Sequence, residues 1–99
     1  MTKILQELDE LFKNLNWNFM IGEHKSEPNT QGAFKLNGFW YLYSNDENGL
    51  QTSLGAFTDK EFLYILILEL RSLKNGVNIE YDSELLDHIH NTCKTLEAF

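Results

Sequence analysis

The chain has 99 residues, of which 42% are hydrophobic and 13% are aromatic, a composition that is typical of one globular domain and excludes an intrinsically disordered chain. Its 15 acidic side chains outnumber the 8 lysines and arginines and give a formal net charge of −7. This charge argues against nucleic acid or an anionic membrane surface as the partner, because both attract a basic protein face. It is compatible with a basic partner, or with nothing more specific than solubility.

The cysteine count and the apolar pattern predict a location. Cys93 has no second cysteine with which to form a disulfide, and a lone thiol is typical of a reducing compartment. Residues 1–15 alternate charged side chains with leucines and lack the apolar core of a signal peptide. The longest apolar run, residues 62–68, is far shorter than the roughly 18 residues that span a bilayer. We therefore expect a cytoplasmic protein with no membrane partner.

The first segment of the chain predicts an amphipathic helix that Thr2 can cap. Its apolar side chains recur at helical spacing at Ile4, Leu8, Leu11 and Leu15. Alternation of apolar and polar side chains over residues 17–21 then predicts a short strand. Residues 22–31 are polar, contain the only proline, and predict a loop.

The centre of the chain predicts an antiparallel meander. Residues 33–36, 39–44 and 50–56 are expected to be its strands, and the second of these is dense in aromatic side chains that favour strands. The pair Asn37-Gly38 between the first two strands is the strongest short hairpin signal, because both residues tolerate positive φ. Residues 45–49 predict the second turn.

A two-residue turn at this position fixes the register of the hairpin. It would set Leu36 opposite Phe39 and Phe34 opposite Tyr41. The alternation of side chains places Trp40 on the other face of the sheet from these four residues. Both faces are partly apolar, so the sequence does not settle which face the helices cover.

The C-terminal half predicts two helices. Thr58 and Glu61 have the spacing of a capping box, in which the hydroxyl and the carboxylate each satisfy a free backbone N–H. The apolar run at 62–68 leaves this helix little polar face, so we expect it to be central, covered on several sides, with Leu66 buried. The pair Asn75-Gly76 is a good helix stop.

A last helix follows a linker, in which residues 77–81 are a candidate strand. Asp82 or Ser83 is expected to cap this helix. Its apolar stripe consists of Leu85, Leu86, Ile89, Cys93 and Leu96. Together the segments predict a single α+β domain over residues 1–99, with an N-terminal helix, a three- to four-stranded antiparallel meander, and two C-terminal helices packed on one face.

No residue set predicts a catalytic or metal site. His88 and His90 are two positions apart on a helix and point away from each other, so they are poorly placed to share an ion. Cys93 lies on an apolar stripe, where a buried structural thiol is favoured over a nucleophile. No carboxylate sits in a plainly apolar setting that would raise its pKa for acid–base chemistry. We therefore expect no enzymatic activity, no metal and no cofactor.

The first candidate for a partner surface is acidic. It comprises Glu80, Asp82, Glu84 and Asp87, with Tyr81 among them. Stabilisation of a helix N-terminus explains Asp82 and Glu84, but it leaves Glu80 and Asp87 without a structural role. Asp46 and Glu47 are a second acidic candidate.

The second candidate is the aromatic strand at residues 39–43, from which Tyr41 and Tyr43 are the expected contact residues. Simple core packing is the alternative role. Alternation nevertheless puts the aromatic side chains on both faces of the sheet, and three helices leave one face open. Exposed tyrosine and tryptophan side chains are effective interface residues, because they offer a large area at a low entropy cost.

The order of these segments resembles the small immunity proteins of bacterial polymorphic toxin systems, of the contact-dependent inhibition type. The resemblance covers residues 38–73: the strand with Trp40, a charged turn ending in Gly49, and a strand that leads through Phe57-Thr58-Asp59 into a leucine-rich helix. It implies a cytoplasmic protein without catalytic residues that binds and blocks one cognate toxin, often a nuclease.

Three functions are carried forward as hypotheses. The first is an immunity protein that neutralises a toxin domain by occlusion, with a basic protein partner because such toxins act on anionic nucleic acid. The second is a regulatory or adaptor subunit of a cytoplasmic complex, which also has no catalytic role. The third is a small enzyme with a site that the sequence does not reveal.

Overall fold

The structure is a computed structural model that describes residues 3–97, with side chains described for residues 3–94. The expected cap Thr2 and the expected stripe residue Leu96 therefore lie outside the described part. Within it the fold is α+β, as the sequence predicts. The elements are α1 (Lys3–Asn14), β1 (Phe19–Ile21), β2 (Gln31–Leu36), β3 (Phe39–Asn45), β4 (Gln51–Phe57), α2 (Asp59–Asn75) and α3 (Ser83–Glu97).

The four strands form one mixed sheet in the order β1-β2-β3-β4. β2 and β3 are antiparallel, but β1 pairs in parallel with β2, with Phe19 opposite Gln31 and Ile21 opposite Ala33. The expectation of a purely antiparallel meander is wrong at this edge. Parallel neighbours need a connection that returns the chain to the starting end of the sheet, and the loop at residues 22–30 provides it.

The hairpin of β2 and β3 has the predicted register. Leu36 lies opposite Phe39 and Phe34 lies opposite Tyr41. Asn37 and Gly38 have φ values of 52° and 85°, as a two-residue turn of type I′ requires. Trp40 and Leu42 are buried, whereas Leu36 and Phe39 are exposed, so the buried face of the sheet is the one that carries Trp40.

The chain divides into two units, residues 1–56 and residues 57–99, called here the N-terminal unit and the C-terminal unit. In the N-terminal unit, α1 contacts β1. The buried rings of Phe12 and Phe19 meet edge to face, with centroids 6.3 Å apart. The Ile21 backbone N–H donates to the Asp9 carboxylate at 2.9 Å, which fixes the helix to the strand.

In the C-terminal unit, α2 begins and ends as predicted. The Thr58 hydroxyl accepts from the Glu61 N–H, and the Glu61 carboxylate accepts from the Thr58 N–H at 2.8 Å. Gly76 follows the helix in the left-handed conformation, and its N–H donates to the last-turn carbonyls of Leu73 and Ser72. Leu66 is buried, which confirms its predicted place in the core.

One expectation for this unit is wrong. Residues 77–81 form no strand. Instead this segment turns Tyr81 inwards, where its hydroxyl donates to Glu69 at 2.7 Å, while Asp82 caps α3 by accepting from the Leu85 N–H. The helix α2 is covered on some sides only: Leu63 and Ile67 are each about half exposed, at 55% and 52%.

Candidate protein-binding surfaces

The first candidate surface is the open side of the β2–β3 hairpin, called here the aromatic face and defined by His24, Phe34, Leu36, Phe39 and Tyr41. The Phe34 and Tyr41 rings stack across the strand pair at 5.7 Å, and the His24 ring stacks on Phe34 at 4.3 Å. At the turn end, Leu36 and Phe39 are 54% and 47% exposed. A ladder of stacked rings thus ends in an exposed apolar tip.

The aromatic face is bordered by the loop at residues 22–30, called here the strap. The Tyr43 hydroxyl donates to the Glu23 carbonyl at 2.6 Å, and the Asn45 side-chain amide donates to the Lys25 carbonyl at 2.7 Å. Burial raises the pKa of the Tyr43 phenol, and its hydrogen bond with Lys25 only partly opposes this. Tyr43 is 2% exposed, so of the two tyrosines predicted for a partner, Tyr41 alone has accessible surface.

Ion pairs hold the start of the strap against α1. The Lys13 ammonium lies 2.8 Å from Glu23 and 3.0 Å from Asp9. Its hydrogen bonds to Glu23 and then to Asp9 raise the pKa of Lys13. The His24 ring is further positioned by a 2.5 Å contact with the Gln51 side-chain oxygen. These contacts mean that the aromatic face is formed before any partner arrives.

The second candidate surface is the acidic segment at residues 80–87. Its four carboxylates, on Glu80, Asp82, Glu84 and Asp87, are all exposed. Asp82 serves as the cap of α3. Within the described residues, the ion pairs involve other carboxylates, so Glu80, Glu84 and Asp87 have no cationic partner there. Three uncompensated charges on this short segment create a local negative potential.

Two of the other predicted contact residues, Tyr81 and Asp46, have structural roles. Tyr81 is buried against Glu69, which is itself fully buried. Burial, followed by the charge of Glu69, raises the pKa of the Tyr81 phenol. The Asp46 carboxylate accepts from the backbone N–H groups of Asn48 and Leu50 at 2.9 Å and shapes the turn between β3 and β4. Glu47 is exposed in the same turn.

The sequence does not reveal a cluster around His90. Its ring stacks on Phe57 at 4.6 Å and pairs through Nδ1 with the Glu61 carboxylate, beside a cavity of about 270 Å³. Burial alone would raise the pKa of Glu61, but hydrogen bonds from the Thr58 N–H, His90 and the Thr58 hydroxyl lower it overall. A carboxylate with a lowered pKa stays ionised at neutral pH, which suits an ion pair better than a general acid.

This cluster extends the helix cap into tertiary structure. One Glu61 oxygen holds the Thr58 N–H and the other holds His90. The capping spacing is visible in the sequence, but a partner 29 positions away has no local signal. His88 instead approaches the Tyr64 hydroxyl at 3.3 Å, so the two histidines have different partners. In the part of the chain that the structure describes, no three potential metal ligands come together.

Comparisons with protein-family models, with curated proteins and with solved structures found no significant match. Among the helices described, none is long and apolar enough to cross a bilayer.

Proposed function

We propose that this protein is a non-catalytic binding protein that acts as an immunity protein, neutralising a basic toxin domain by occluding its working surface. The observation that carries the proposal is the exposed apolar tip of the aromatic face. Leu36 and Phe39 lie side by side on a hairpin whose rings are already stacked. Side chains on a preformed scaffold lose little entropy on binding, and an aromatic side chain such as Phe39 can bury a large apolar area against a partner.

The acidic segment supports a basic partner. Glu80, Glu84 and Asp87 are exposed and have no cationic neighbour among the described residues. They therefore add to the field of a chain whose net charge is −7. Fields of this kind accelerate encounters with proteins of opposite charge. The resemblance of residues 38–73 to immunity proteins selects this function from other binding roles.

The test is capture followed by rescue. The tagged protein is used to isolate its partner from the native cell, and the partner is then expressed alone and together with the tagged protein. We expect expression of the partner alone to stop growth and co-expression to restore it. The double variant Leu36→Glu/Phe39→Glu should lose the rescue, whereas Leu50→Glu, at another exposed leucine, should keep it.

The assay separates the two binding hypotheses. A captured partner that is harmless when expressed alone would contradict the immunity role and support an adaptor subunit. Rescue that survives in the double variant, with its fold verified by thermal unfolding, would exclude the aromatic face as the contact. Rescue by a variant that no longer binds the partner would contradict occlusion as the mechanism.

A further inference from the structure

The outward side of α2 carries an apolar stripe with basic ends, called here the α2 stripe and consisting of Lys60, Leu63, Ile67, Arg71 and Lys74. These positions follow helical spacing and lie opposite the buried side of the helix, which carries Phe62, Ile65, Leu66 and Glu69. All five stripe residues are exposed. The stripe is about 21 Å long at 1.5 Å per residue.

An apolar groove runs beside the middle of the stripe. It has a volume of about 310 Å³ and is lined by Lys60, Leu63, Tyr64, Ile67 and Cys93. A groove of this kind next to two half-exposed aliphatic side chains has the form that accepts the apolar side of an amphipathic helix.

The charges at the ends of the stripe select the partner. Lys60 lies at one end and Arg71 and Lys74 lie at the other, and among the described residues none of the three forms an ion pair. Three of the eight basic residues of an acidic chain therefore border one apolar patch. A partner that places carboxylates beside its apolar anchors would neutralise these ends.

The same charges disfavour a second copy of the chain as the occupant. A second copy in a two-fold arrangement would place the stripe against itself and bring its basic ends together, since a two-fold interface uses the same patch on both subunits. We infer that the α2 stripe is a docking site for an acidic amphipathic helix of another protein. This inference does not depend on the proposed immunity function.

The test uses the full chain and two synthetic peptides of about 15 residues, matched to the stripe length. Both carry leucines at positions i, i+3, i+4 and i+7. One is flanked by glutamates and the other by lysines. Binding is measured by fluorescence anisotropy near 0.15 M salt, where charges beyond about 8 Å are largely screened and local pairing dominates.

We expect saturable binding of the glutamate peptide, and binding of the lysine peptide weaker by about tenfold or more. Ile67→Glu should weaken binding of the glutamate peptide by about tenfold or more, whereas Leu50→Glu, at an exposed leucine outside the stripe, should leave it unchanged. The double variant Lys60→Glu/Arg71→Glu should reverse the preference between the peptides. Thermal unfolding verifies the fold of each variant.

Several outcomes would overturn the inference. These are failure of the glutamate peptide to bind, equal binding of both peptides, and binding that survives Ile67→Glu. Self-association in sedimentation that Ile67→Glu abolishes would identify a second copy as the occupant. Binding to vesicles containing anionic lipid, without binding to the glutamate peptide, would identify a membrane surface. None of these measurements involves a toxin, so their failure and the failure of growth rescue are distinguishable.

Discussion

At the scale of single residues, the pair formed by Glu69 and Tyr81 places a carboxylate in the core of the C-terminal unit. Glu69 is fully buried in α2 and accepts a 2.7 Å hydrogen bond from the Tyr81 hydroxyl. Tyr81→Phe removes this donor and leaves the carboxylate with one partner fewer. We expect a loss of roughly 1–3 kcal/mol in the free energy of unfolding at neutral pH, measured by chemical denaturation.

The same pair predicts a response to alkaline pH. Because burial raises the pKa of Tyr81, the phenol stays neutral in the folded protein while the unfolded chain ionises near its ordinary value of about 10. The contribution of Tyr81 to the free energy of unfolding is therefore fully present below about pH 10 and decreases as the pH rises further. Tyr81→Phe should flatten this decline, with a residual slope from Tyr43, whose pKa is also raised. An unchanged slope would contradict the role given to Tyr81.

The lowered pKa of Glu61 predicts a loss of stability at acidic pH instead of alkaline pH. Its pKa is lowered because hydrogen bonds from Thr58 and His90 outweigh the effect of burial. The contribution of Glu61 to the free energy of unfolding is therefore present above its ordinary pKa of about 4.5. It is lost as the pH falls through the lower pKa of the folded state. Glu61→Gln keeps the capping geometry without the charge. We expect this variant to be less stable than the parent at pH 7, with the difference shrinking below about pH 4.5.

Denaturation curves measured across this pH range check the acid prediction. Glu10→Gln, at an exposed position of α1, is the control for a general effect of removing one negative charge. A constant difference between Glu61→Gln and the parent from pH 7 to pH 3 would show that the charge of Glu61 adds nothing to its hydrogen bonds with Thr58 and His90.

At the scale of elements, Gly32 decides how closely β1, β2 and the Tyr43 ring approach. A Cβ at this position would lie 2.8 Å from the Met20 carbonyl oxygen and closer still to the Tyr43 hydroxyl. Gly32→Ala should displace the ring and the strap and cost about 1–3 kcal/mol. Gly38→Ala is the matched control, because its Cβ would meet no atom within 4 Å and only the φ of 85° opposes it.

Limited proteolysis and denaturation together test the effect of Gly32. We expect faster cleavage within residues 22–30 for Gly32→Ala and an unchanged cleavage pattern there for Gly38→Ala. Equal cleavage within residues 22–30 in the two variants would show that the close approach of Tyr43 to β2 does not hold the strap.

Elements governed by local patterns were predictable from the sequence. The type I′ turn at Asn37-Gly38, the capping box of α2 and the stop at Gly76 each depend on residues within a few positions of one another. The parallel pairing of β1 was not predictable, because nothing local distinguishes a loop that returns the chain from one that makes a wide hairpin. The role of Tyr43 was also hidden, since its strap partners lie about 20 positions earlier.

The burial of individual side chains in α2 was also not predictable. Its run of apolar side chains predicts cover on several sides, but it does not indicate that Leu63 and Ile67 are half exposed while Glu69 is fully buried. The buried Glu69 carboxylate accepts a hydrogen bond from Tyr81, which lies outside the helix, so the pattern within α2 gives no sign of this burial. The aromatic strand, which includes Phe39, and the acidic segment were proposed as surfaces from the sequence, whereas the exposure of Leu36 and the α2 stripe were not foreseen.

At the scale of the whole molecule, the net charge of −7 predicts the kinetics of binding to a basic partner. The triple variant Glu80→Lys/Glu84→Lys/Asp87→Lys spares Asp82, which caps α3. We expect slower association and a weaker dependence of the association rate on salt, because long-range steering is reduced. Binding kinetics against the captured partner at several salt concentrations measure both.

Truncation of a side chain of the aromatic face should change the dissociation rate instead of the association rate. Phe39→Ala removes an exposed apolar anchor, so we expect faster dissociation and an unchanged salt dependence of association. An unchanged association rate in the lysine variant would remove the acidic segment from the mechanism and leave the aromatic face as the leading contact.

The parallel pairing of β1 with β2 also sets an order of events during folding. The β2–β3 hairpin is local and such hairpins form in roughly 1–10 μs, whereas β1 can align only beside a β2 that already exists. We expect the strap, which Tyr43 and Asn45 hold from β3, to settle after this hairpin. Gly38→Ala should slow refolding, whereas Tyr43→Phe should mainly speed unfolding, since contacts made after the transition state act on that rate. Stopped-flow measurements on the two variants check this: Gly38→Ala should change mainly the folding rate, and Tyr43→Phe should change mainly the unfolding rate.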